Sequence, residues 1–94
     1  MTVYNLLMES FYYDGDGFTI VDVTSEIRTF GSYNLAVDCL ERAIKEEIDN
    51  GKYTQNMLVR DGDDYACFSD EVYGDEGVNR TLYRLTIYER EIES

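Results

Sequence analysis

Carboxylates are the commonest side chains here that could do chemistry, and histidine, their usual collaborator, does not occur. Its absence removes the commonest general base and the commonest transition-metal ligand together. Paired carboxylates can serve as acid and base at a glycosidic bond. That chemistry needs a cleft that desolvates a substrate, and exposed carboxylates titrate near 4, too low for proton donation at neutral pH. Two runs, Asp14-Gly15-Asp16 and Asp61-Gly62-Asp63, begin like calcium loops. An EF-hand needs an oxygen ligand at position 5, Gly at 6 and Glu at 12. From Asp14 those positions hold Phe18, Thr19 and Ser25, and from Asp61 they hold Tyr65, Ala66 and Val72. Both runs therefore read as Asp-Gly turns. Cys39 and Cys67 lack the CxxC spacing of a zinc or redox site and read as reduced, buried small hydrophobes. No catalytic residue, metal or cofactor is expected, and the chain reads as a non-enzyme.

The chemistry that remains is recognition. Between Asp61 and Glu76 seven of sixteen residues are acidic and none is basic, with Tyr65, Phe68 and Tyr73 interleaved. Carboxylates alternating with aromatic rings suit a basic protein groove that ordinarily takes phosphates and bases. Asp63, Asp64, Asp70, Glu71, Asp75 and Glu76 are the expected partner contacts, with Tyr73 as an aromatic anchor. Asp14, Asp16, Glu89, Glu91 and Glu93 extend that surface if the fold brings them close.

The whole composition agrees with this sign. Ninety-four residues carry twenty Asp and Glu against eight Lys and Arg, a formal net charge of −12. Such a surface repels nucleic acid and anionic membranes and favours a basic partner. With 44% hydrophobic residues, nine Tyr and four Phe, the chain is too apolar for a disordered acidic tail and should fold as a single domain over residues 1–94. No basic leader and no apolar run of about 20 residues occurs, so the expected location is the cytoplasm.

Positioning falls to a few elements. Val3 to Tyr13 reads as a strand with Tyr4, Leu6, Met8 and Tyr12 on one face and Val3, Leu7 and Phe11 on the other. Asp14 to Gly17 predicts a turn into a second strand over Phe18 to Thr24. Ser25 to Gly31 then leads out. Ser32 to Asn50 predicts the one helix, with Ser32 as N-cap and an apolar stripe of Tyr33, Ala36, Val37, Leu40, Ala43, Ile44 and Ile48. Asp38–Arg42 and Glu41–Lys45 are spaced as pairs on its wet side. Gln55 to Arg60 and Tyr65 to Phe68 predict a second hairpin, Ser69 to Asn79 a polar loop, and Arg80 to Glu91 a closing strand. The expected fold is α+β: a four- to five-stranded antiparallel sheet with one helix on one face, in the order ββαβββ.

Val3-Tyr4, Phe30-Gly31-Ser32, Ala36, Leu40 and Tyr83-x-Leu85-x-Ile87-Tyr88-Glu89 give this layout, over most of the chain, a resemblance to small proteins of bacteriophages and mobile elements. Strongly acidic proteins of that kind include anti-CRISPR and anti-restriction inhibitors, some of them DNA mimics. The resemblance implies an inhibitor without catalysis, whose partner is a basic nucleic-acid-binding protein such as a CRISPR effector nuclease. A second reading is a small interaction module or homodimer, paired through an exposed strand edge such as the last strand. A third, a regulatory ligand-binding domain, requires a pocket.

Overall fold

The computed structural model describes residues 1–14, 19–74 and 77–93, with Val72, Tyr73, Gly74 and Val78 described by backbone alone. The elements are β1 (Thr2–Asp14), β2 (Thr19–Phe30), α1 (Tyr33–Asp49), a 3-10 turn (Gln55–Met57), β3 (Leu58–Arg60), β4 (Tyr65–Gly74) and β5 (Gly77–Glu91). One antiparallel sheet takes the order β2-β1-β5-β4-β3. The α+β architecture and the ββαβββ order are as the residue pattern predicts. The residues of the predicted turn after Asp14 lie outside the described set.

Period-two alternation sorts the sheet into two unlike faces. On one, Leu6 and Met8 of β1, Leu85 and Ile87 of β5, and Ala66 and Phe68 of β4 are buried against Ala36, Leu40 and Ile44 of α1. Tyr53, on the connection after the helix, closes this core by stacking on Phe68 with ring centroids 5.0 Å apart. Of the predicted helical stripe, Tyr33 stays exposed, because it stands at the first turn beyond the core. Ser32 caps the helix by accepting a hydrogen bond from the Leu35 amide at 3.2 Å. Gly51 follows the Asn50 cap at φ +74, where a side chain would be strained. Both carboxylate oxygens of Glu41 accept from Arg60 of β3, so the expected Glu41–Lys45 pair gives way to a tie between helix and sheet.

Two predicted connections are strand instead. Ser25 to Phe30 continues β2, with Ser25, Ile27 and Thr29 opposite Glu9, Leu7 and Asn5. Ser69 to Gly74 continues β4, with Ser69, Asp70 and Glu71 opposite Leu82, Thr81 and Arg80, and Gly77 to Asn79 already belongs to β5. Ser25 to Thr29 is exposed because β2 is an outer strand, and on β4 Ser69 and Asp70 are half-buried while Glu71 is exposed. The strand predicted over Gln55 to Arg60 shrinks to Leu58–Arg60 after the 3-10 turn.

A helix of 17 residues is about 25 Å long, whereas the 13 residues of β1 span about 43 Å. The helix therefore covers one part of the sheet and leaves the rest as a two-faced ribbon. The overall extents are 54 × 26 × 20 Å, and the radius of gyration of 15.1 Å exceeds the roughly 12 Å of a compact chain this size.

Candidate protein-binding surface

The elongated sheet places the predicted contacts Asp63 and Asp64 at one end, here the near end, and Asp70 and Glu71 farther along β4. The near end holds the turn from β3 to β4 and the start of α1. Gly62 at φ +69 lets Asp61, Gly62, Asp63 and Asp64 turn, and the Asp61 amide closes the turn by donating to the Tyr65 carbonyl at 3.2 Å. The Asp64 carbonyl accepts from the Ile87 amide at 2.8 Å, anchoring the turn to the central strand while its carboxylates stay exposed. That same bond brings the end of β5, with exposed Glu89 and Glu91, to this end of the sheet. Glu91 is tied locally: it accepts from Thr2 and from the amino terminus, and these bonds hold its carboxyl below the usual range.

Tyr33 belongs to this end. It packs edge-on against Tyr4, with ring centroids 5.7 Å apart, and remains 38% exposed. Desolvation pushes its phenol upward, with Asp64 and Asp63 adding to the shift, so both carboxylates act on the ring's hydroxyl. Aspartates beside a half-exposed tyrosine form the kind of mixed surface that the composition of residues 61–76 suggests, although with a different tyrosine. Helical spacing puts Tyr33 in the apolar stripe, but its position directly after the Ser32 N-cap sets it at the margin.

Asp70 and Glu71 do not join Asp63 and Asp64. Glu71 is seven residues from Asp64 along one extended strand, about 23 Å away. Asp70 and Glu71 also point to opposite faces: Asp70 lies half-buried in register with Thr81 on the helix-bearing face, and Glu71 stands opposite Arg80 on the other. Tyr73 is placed by backbone only, opposite Val78, and Asp75 and Glu76 lie outside the described residues. Asp14, at the end of β1, belongs with this far end rather than with Asp63 and Asp64. Among the described residues, Asp63 and Asp64 are thus separated from Asp70 and Glu71, because Tyr65 to Gly74 is a strand rather than a loop.

Comparison with protein-family models, with curated proteins and with solved structures returns no match.

The face without the helix has a different chemistry. Among the described residues its charged members by register are Glu9, Glu71, Arg80, Arg84 and Arg90, a nearly balanced set in a chain of net charge −12. Arg84 donates twice to Glu9, at 2.8 and 3.1 Å, and its guanidinium lies 5.1 Å from the Phe11 ring centre. Arg80 lies 5.3 Å over Tyr13. Cys67 shares this face, and burial pushes its thiol up, which makes it a poorer nucleophile at neutral pH. Cys39 is on the helix; both cysteines are free and half-buried.

A hollow between α1 and the β1–β2 pair is lined by Met8, Glu26, Arg28, Cys39, Glu47 and Tyr83. Burial, then nearby Glu47, pushes the Tyr83 phenol up to about 12, so it stays a neutral hydrogen-bonding group there. Among the described residues, no three or more His, Cys, Asp or Glu side chains are grouped to hold a metal ion, and no helix is long and apolar enough to cross a membrane.

Proposed function

We propose that this chain is a non-catalytic binding protein that seats its acidic near end on a basic, nucleic-acid-binding surface of another protein and keeps nucleic acid out. The observation that carries the reading is that the exposed Asp61-Gly62-Asp63-Asp64 turn and the half-exposed Tyr33 ring lie at the same end of the sheet. Carboxylates there replace phosphates, and the ring supplies the flat apolar contact that a base would make. The target class implied by the resemblance to phage inhibitors is a host defence nuclease, most directly a CRISPR effector.

The test is inhibition of target-DNA cleavage by a purified, guide-loaded CRISPR effector at rising concentrations of the protein. Inhibition relieved by excess duplex DNA, and weakened as salt rises, supports the reading, since exposed charges act through screened attraction. Cleavage unaffected at concentrations well above the effector's, or inhibition indifferent to both DNA and salt, would overturn it.

A further inference from the structure

Strand β2 is the outermost strand on one side of the sheet, and among the described residues its strand neighbour is β1 alone. Every residue from Thr19 to Thr29 is exposed, whereas the opposite edge ends in the three-residue β3. A long outer strand leaves a row of backbone donors and acceptors ready for another strand, and natural edges are commonly guarded by Pro, Lys or bulges. β2 contains neither Pro nor Lys. Its register irregularity lies opposite Tyr12 and Tyr13, at one end, and the stretch from Asp22 to Arg28 pairs with β1 without interruption.

We propose that a second copy of this chain pairs there, β2 against β2, antiparallel about a two-fold axis at Ser25. In that register Ser25 faces its symmetry mate, Val23 faces Ile27, and Asp22 faces Arg28. The faces agree with the existing sheet. Val23 and Ile27 lie in register with Phe11 and Leu7 on the open face, and Asp22 and Arg28 with Tyr12 and Leu6 on the helix-bearing face. Symmetry makes each of these pairs twice, so one short edge supplies two β-branched contacts and two ion pairs. Sliding the copies by two residues one way sets Asp22 against Glu26, and the other way sets Glu26 against itself. The neighbouring registers therefore oppose like charges, which selects the first. Val23 and Ile27, 49% and 56% exposed in the single chain, become covered across the junction. The product is a continuous ten-stranded sheet with both helices on one face.

Two bodies of charge −12 repel one another, so this association strengthens as salt rises, opposite to the trend for a basic partner. Sedimentation equilibrium at roughly 10 μM to 1 mM protein covers the range of a weak self-association. The expected result is a concentration-dependent rise from 10.9 kDa towards twice that mass. Arg28→Asp should weaken it at least about tenfold, and Asp22→Arg with Arg28→Asp should restore most of it, because the cross-strand pair is then reversed while the Arg28–Glu26 bond within the strand stays lost. Ser25→Cys should form an intermolecular disulfide under mild oxidation, since directly opposite residues lie within its span. Val21→Cys should not, because the two copies of that residue would be about 27 Å apart. Single-chain mass throughout, a dimer indifferent to Arg28→Asp, or equal crosslinking at Val21 and Ser25 would each overturn the proposal.

Discussion

The two faces of the sheet solve different problems with the same strands. The helix-bearing face is built from residues that no longer meet water: Leu6, Phe68 and Leu85 of the sheet and Leu40 of the helix are fully buried. The open face is built from rings and alkyl groups lying beside charges, with Arg80 over Tyr13 and Arg84 bridging Glu9 and Phe11. Stability is thus concentrated on one face, while the other stays ordered in water by local pairs. The difference teaches that the acidic excess is not spread evenly. It is carried by the ends and the helix side, where it can meet a partner without disturbing the core.

The largest predicted effect separates these faces. Phe68→Ala should cost about 3–5 kcal/mol, since it removes a fully buried ring and the partner of Tyr53, as read by urea unfolding. Val59→Ser, on the open face, should change stability by no more than about 0.5 kcal/mol. Comparable losses at the two positions would break the distinction.

Next in size is the charged bridge. Arg84→Ala should cost about 1–2 kcal/mol by removing two bonds to the partly buried Glu9 and the contact with Phe11. A double-mutant cycle with Glu9→Gln should show coupling between the two. Additive losses would mean that the open face relies on packing alone.

A smaller effect appears with pH. The Arg60 hydrogen bonds hold the Glu41 carboxyl below its ordinary 4.5 in the folded chain. The unfolded chain then takes up the proton first, so this contribution is present above about pH 4.5 and is lost as pH falls through the folded value. The pair is substantially solvated, which limits it to about 1 kcal/mol or less. Glu41→Gln should remove that part of the acid-side slope in stability measured from pH 6 to 3. At the alkaline end Tyr83 acts in the opposite sense: its raised phenol costs stability as pH climbs from 10 towards 12.

Much of this was legible in the residues. Period-two runs at Leu6-x-Met8 and Leu85-x-Ile87, the helical stripe and the Ser32 cap each point to the element observed. What was hidden shares one physical cause. Ser25 to Thr29 and Ser69 to Gly74 form strands whose side chains are not all required to be apolar, and so they carry no hydrophobic alternation to read. A loop over Ser69 to Asn79 would gather Asp63, Asp70 and Glu71 into one patch, whereas the strand separates Asp63 from Asp70 and Glu71. The missing alternation also hid the sheet order: β5, expected as a candidate for an open edge, lies between β1 and β4 and is paired on both sides. Tyr33 went unrecognised for the converse reason, since helical spacing marks a stripe without saying where the sheet beneath it stops.

The decisive measurement compares affinities for the guide-loaded CRISPR effector of the native chain, of Asp63→Lys with Asp64→Lys, and of Asp70→Lys with Glu71→Lys. Both variants change the net charge equally, so bulk electrostatics affects them alike. Binding through the near end predicts at least a tenfold loss for the first variant and a much smaller loss for the second. Equal losses, or the greater loss at Asp70 and Glu71, would contradict it.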